Sequence, residues 1–122
     1  PMAKIMRAES ADYAASISSL SRGAQESTNH IHTLLSTTYT LVSQNQFKQA
    51  DEQALQLLFL LQTDPTDLTR EEVQDIFEQA QWLHAVCVMN KGKVFKARRL
   101  LRKIANSNSH YATHAQDILD RL

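Results

Sequence analysis

The chain has 122 residues and no formal net charge, with 13 Lys and Arg against 13 Asp and Glu; it is long enough for one hydrophobic core, and no overall charge steers it toward nucleic acid or an anionic membrane. Gly and Pro number two each, where average usage would give roughly eight and six, so there is little room for sheet-building hairpins and an all-α fold is expected. Cys87 is the only cysteine, which excludes an internal disulfide and any multi-cysteine metal site.

In chain order, the first expected helix is short, about 9–21, with Ala11, Ala14, Ile17 and Leu20 on one stripe and Gly23 as its stop. The second covers about 28–44, with Ile31, Leu34, Leu35, Thr38, Leu41 and Val42 at helical spacing. A tight turn at Asn45-Gln46 leads into the third, about 47–62. There Asp64-Pro65-Thr66-Asp67 breaks the pattern, because the residue before a proline is pushed out of the helical region.

The fourth helix has the clearest start. Thr69 and Glu72 have the spacing of a capping box, and Leu68 and Val73 flank it as a hydrophobic staple would. Ile76, Phe77, Ala80, Leu83, Val86, Cys87 and Val88 carry it toward Asn90, where Gly92 closes it. A fifth segment covers 93–105. After Asn106-Ser107-Asn108-Ser109 a last helix begins near His110, with Tyr111, Ala115, Ile118, Leu119 and Leu122 inward.

An internal repeat organises these segments. Tyr39, Val42, Asn45, Phe47, Ala50, Ala54 and Leu57 align without a gap on Val86, Met89, Gly92, Val94, Ala97, Leu101 and Ile104. Each unit reads as a helix, a tight corner and a second helix whose first inward residue is a small alanine. With Ala80-x-Trp82-Leu83-x-Ala85, Lys91-Gly92-Lys93, Lys96-Ala97-x-x-Leu100-Leu101 and His110-Tyr111-x-x-x-Ala115, the pattern resembles the tetratricopeptide (TPR) family. It looks like the end of small bacterial TPR-like proteins, some of which carry an upstream membrane segment. The resemblance implies one domain, 1–122, built as a right-handed array of antiparallel hairpins. Its parts would be a hairpin over 28–61, a second over 70–105, a capping helix over 110–122 and an N-terminal covering helix. It also implies a binding module or scaffold that performs no chemistry.

The residues agree with a non-enzymatic reading. There is no nucleophile elbow, paired-histidine zinc motif or phosphate-cradling glycine loop, and no cofactor is expected. Lys91-Gly92-Lys93 lacks the preceding glycine and strand of a phosphate loop. His110 and His114 are four apart, and His30 and His32 two apart, but no carboxylate or thiol is fixed beside either pair by spacing, so no metal site is expected. The longest nearly pure apolar run, 57–61, is far short of the ~20 residues of a membrane helix. No segment has the make-up of a signal peptide. The opening Pro1-Met2 reads either as a foreign residue before a native start or as the edge of a piece of a longer protein.

Charge is balanced but badly mixed. Eight acidic residues stand against Arg70 between positions 51 and 78, and seven basic ones without an acid between 91 and 103. At ~100° per residue, Lys96, Arg98, Arg99, Arg102 and Lys103 fall on one arc opposite Ala97, Leu100, Leu101 and Ile104. Three readings stay open: a solvated helix face, a docking surface for an acidic protein partner, and a nucleic-acid or regulatory surface. The last is disfavoured by the acidic remainder of the chain and by an exposed arc read as free of interleaved aromatics. The third segment, with Leu55, Leu57, Leu58, Phe59, Leu60 and Leu61, is too apolar for an outer helix. Leu55, Phe59 and Leu60 are therefore candidates for self-association as a homodimer, the alternative being cover from the N-terminal helix or the fourth helix.

Overall fold

A computed structural model describes the backbone from Met2 and the side chains from Arg22 to the terminus. Among the described residues the chain is all-α: α1 (Met2–Ser43), α2 (Phe47–Thr63), α3 (Arg70–Asn90), α4 (Val94–Ala105) and α5 (Ala112–Arg121). α1 packs on α2 and less extensively on α3, α2 on α3, α3 on α4, and α4 on α5.

One expectation fails at the start. Gly23 does not stop a helix; α1 runs through it as a single element, so no separate covering helix with its own boundary exists. Gly23 is exposed, keeps a negative φ and has open space around it. A glycine inside a helix costs only about 1 kcal/mol relative to alanine, and no proline or left-handed turn beside it adds to that. The expected stripe Ala11, Ala14, Ile17 and Leu20 lies outside the described side chains.

The other boundaries follow their local chemistry. At the end of α1, Asn45 takes φ 60; the Gln46 N–H donates to the Leu41 carbonyl at 2.9 Å and the Asn45 N–H to Val42 at 3.0 Å. At the end of α3, Gly92 takes φ 82, and Lys93 and Gly92 donate to Val88 (3.2 Å) and Met89 (3.1 Å). Both corners are Schellman turns, in which a left-handed residue lets two orphan carbonyls be satisfied. They match bond for bond at the 47-residue offset of the sequence repeat. In each, the inward alanine, Ala50 or Ala97, is fully buried and donates to the residue four positions earlier at 2.9 Å.

α2 ends at the Asp64-Pro65 break. The next loop is pinned to α1 by Thr28, whose hydroxyl meets the Asp67 carboxylate and accepts from the Asp67 N–H at 3.2 Å. α3 then starts with the expected capping box: the Glu72 N–H donates to Thr69 Oγ1 at 3.1 Å, and the Thr69 N–H to Glu72 Oε1 at 3.3 Å. α5 begins two residues later than expected, with Tyr111 as its N-cap.

α3 is the axis of the molecule. Ile76 and Ala80 join Ile31, Leu34 and Leu57 in one core with α1 and α2. Ala85 joins Leu101, Ile104 and Ala115 in a second core with α4 and α5, closed by half-buried Trp82 and Tyr111. From Ile76 to Ala85 is half a revolution at ~100° per residue, so α3 has a core on each of two opposite sides. That explains why its apolar residues do not form a single stripe. Trp82 stacks on Tyr111 with ring centroids 5.3 Å apart and 13° between planes.

Candidate functional site

Between its two cores α3 leaves a face that neither hairpin covers. The Cα traces of α2 and α4 do not approach within 8 Å among the described residues, and a trough opens between them with α3 as its floor. Leu55, Leu58 and Gln62 form one wall, Leu100, Lys103 and Ile104 the other, and Phe77, Gln81 and His84 the floor, around a hollow of 250 Å³. A second hollow of 240 Å³ shares Phe77, Gln81 and Lys103 and continues past Gln74 to Ser107, Asn108 and Ser109. From His84 to Gln74 the floor extends roughly 15 Å at 1.5 Å per residue, about three helical turns. Larger hollows elsewhere, such as the 470 Å³ notch between the two corners, are lined mainly by exposed polar groups.

The closed end of the trough is a buried ionic cluster. Asp51, 4% exposed on α2, accepts from Lys91 Nζ at 2.7 Å through Oδ2, while Oδ1 meets Nδ1 of buried His84. Burial alone would raise the Asp51 carboxyl, but the hydrogen bonds from Lys91 and His84 outweigh it and hold the group below the ordinary carboxylate range. Cys87, buried beside them, has its thiol pushed up to about 11 by burial and by Asp51, which makes it unreactive at neutral pH. This cluster joins α2 to α3 and offers a substrate no open nucleophile.

The basic arc divides. Arg98 is half-buried and donates to the Leu122 carbonyl at 2.9 Å, tying α4 to the end of α5. Lys96, Arg99, Arg102 and Lys103 are exposed, and among the described residues none lies within 4 Å of a carboxylate oxygen. An aromatic does interleave with them: Phe95 is 83% exposed on the same arc, which corrects the reading of that arc as free of aromatics. Lys91, counted in the basic run, is engaged by Asp51, and two of the eight acids, Asp51 and Glu78, are buried.

The self-association candidates divide as well. Leu55 and Phe59 are exposed, at 47% and 63%; Leu55 lines the trough as part of its α2 wall, and Phe59 lies outside that lining. Leu60 is half-buried against the α1–α2–α3 core and belongs to the interior. Comparison with protein-family models, with curated proteins and with solved structures found no match.

Sequence reasoning found the cations of the α4 wall and the outward leucine and phenylalanine of α2. It missed His84 and the trough, because the lining comes from three helices separated by loops. A signal was present: Phe77 and His84 are seven residues apart, two helical turns, on a side of α3 not needed by the first core.

Proposed function

We propose that this protein is a non-catalytic interaction module of TPR-like architecture, and that it docks an acidic amphipathic helix in the trough between α2 and α4. Two antiparallel hairpins with matching corners and a fifth, shorter helix at the end support the TPR-like part. The observation that carries the docking part is a trough along three helical turns of α3, apolar in its first hollow and polar in its second, with Lys103 of the α4 wall lining both. An amphipathic helix presents anchors at i, i+3, i+4 and i+7. Such anchors match Leu55, Leu58, Phe77, Leu100 and Ile104, which are side chains of three different helices around one hollow. Lys103 supplies the charge at that hollow, with unpaired Lys96 and Arg99 on the same helix, so acidic residues on the α4 side of the ligand would be attracted and basic ones repelled.

Selection from a display library of helical peptides with randomised charged positions tests this reading. Peptides with an apolar stripe and acids along one edge should be enriched on the native chain and lost on a Leu100→Glu variant. Enrichment of basic peptides, or equal enrichment on both proteins, would overturn it. Phe95 favours one second reading, a single-stranded nucleic-acid surface in which a base stacks on the ring between cations. An oligothymidylate titration decides it: salt-sensitive binding abolished by Phe95→Ala would move the function there.

A further inference from the structure

Beside the α3–α4–α5 core, where Glu78 also lines the polar second hollow of the trough, lies a cluster whose charges the docking reading leaves without a role. Glu78 is 7% exposed, and its Oε2 stands 2.7 Å from Nδ1 of His110 and 3.5 Å from the His110 backbone nitrogen. Its other oxygen has only Gln74 Nε2, at 3.5 Å. Asp75 sits one turn earlier on the same face of α3. One ligand atom from each of Asp75, Glu78 and His110 falls within 4.8 Å of the others. Among the described residues, neither carboxylate is paired with a lysine or arginine. His110 can compensate the buried carboxylate of Glu78 only when its imidazole is protonated, and Asp75 adds a second negative charge beside the pair, so the three groups together carry net negative charge.

We propose that Asp75, Glu78 and His110 bind a single divalent cation of the zinc class. The donor set is one imidazole nitrogen and two carboxylate oxygens, which suits a borderline first-row ion better than magnesium or calcium. Ligand atoms around tetrahedral zinc stand roughly 3.3 Å apart. The Glu78–His110 contact therefore opens slightly as the ion enters, and exposed Asp75 exchanges the hydrogen bond it accepts from Gln79 Nε2 at 3.0 Å for the ion. Gln74 remains behind Glu78 as the partner that orients the ligating carboxylate. Three protein ligands leave at least one coordination position for water, and the adjoining 380 Å³ hollow gives it room. His114 is not part of the set: it lies edge-on to Trp82, 6.2 Å between centroids. The ion would clamp the turn before α5 onto the middle of α3 and so fix the terminal helix.

Titration of the full chain with Zn²⁺ by calorimetry, and with Co²⁺ by visible absorption, tests the site. One equivalent should bind, and Zn²⁺ should raise the melting temperature, because only the folded chain assembles the ligands. Asp75→Asn and His110→Ala, both at exposed positions outside the cores, should each weaken binding at least tenfold and remove the thermal shift. His114→Ala should leave both unchanged. Circular dichroism of Glu78→Gln separates loss of binding from loss of fold at the buried ligand. No saturable binding up to about 1 mM Zn²⁺, or binding that survives both Asp75→Asn and His110→Ala, would overturn the proposal.

Discussion

Two carboxylate–histidine pairs are built around the same helix, and they are finished differently. Asp51–His84 is closed: both side chains are buried, and Lys91 brings a third partner to the free carboxylate oxygen at 2.7 Å. Glu78–His110 is open: the carboxylate is equally buried, but the histidine side chain is 80% exposed, and a second acid, Asp75, stands beside the pair. The hydrogen bonds from His110 and Gln74 outweigh burial and hold the Glu78 carboxyl low, and the same contact raises His110. The difference lies in the segment that meets each part of α3. Its carboxyl end runs into a corner that carries a lysine back over α2. Its middle meets a loop of Asn and Ser that carries none. A buried carboxylate held by a lysine and a histidine is a staple, and the one held by a histidine and an amide is where the proposed ion would bind.

The strongest way to break the comparison is to remove the closed carboxylate. Asp51→Ala leaves Lys91 and His84 without their shared partner and should cost about 3 kcal/mol in urea unfolding, at the low end for a broken buried pair because Lys91 can swing to water. The pH dependence goes with it. Asp51 is held below its ordinary value near 3.8 by Lys91 and His84, so its contribution is fully present above about pH 4 and is lost as pH falls further through the folded value. Asp51→Asn should flatten that acid limb of the stability profile.

Next in size is the pair of histidine truncations. His84→Ala removes a buried partner and should cost about 2 kcal/mol. His110→Ala, whose ring is solvent-exposed, should shift the melting temperature less than His84→Ala in metal-free buffer. A larger shift for His110 would reverse the assignment of staple and open site.

The smallest effect sits at the corner that delivers Lys91. Gly92 has φ 82, and although nothing stands near its Cβ position, Gly92→Ala should cost about 1 kcal/mol from the left-handed backbone alone. Asn45→Gly, at the matching corner, should be near neutral or slightly stabilising in the same assay.

Much of the fold was legible because its signals are local. Thr69 and Glu72 announce a helix start within four residues, Pro65 ends one, and Asn45 and Gly92 each close one in the left-handed region. Gly23 misled because a lone glycine is a weak breaker when the residues after it continue the helical pattern. The interior charges were illegible for a different reason. Asp51 and Glu78 look like surface acids in a polar stretch, and only the approach of Lys91, His84 and His110 from positions 32 to 40 residues away makes burial tolerable. The α4 cations were visible by periodicity, whereas the trough they border exists only once α2 and α4 are set apart on α3.

The most direct test of the docking account uses two synthetic helical peptides with the same leucine stripe, one edged with Glu and the other with Lys. Their equilibrium binding is measured by fluorescence anisotropy at low and moderate salt. The native chain should bind the acidic peptide and reject the basic one, and the preference should weaken as salt rises, since exposed charges are screened over about 10 Å at 0.1 M. Arg99→Glu with Lys103→Glu, both exposed and outside the cores, should invert the preference without loss of fold. Equal binding of the two peptides, or a preference unchanged by the double reversal, would contradict the trough and its cationic wall as the docking site.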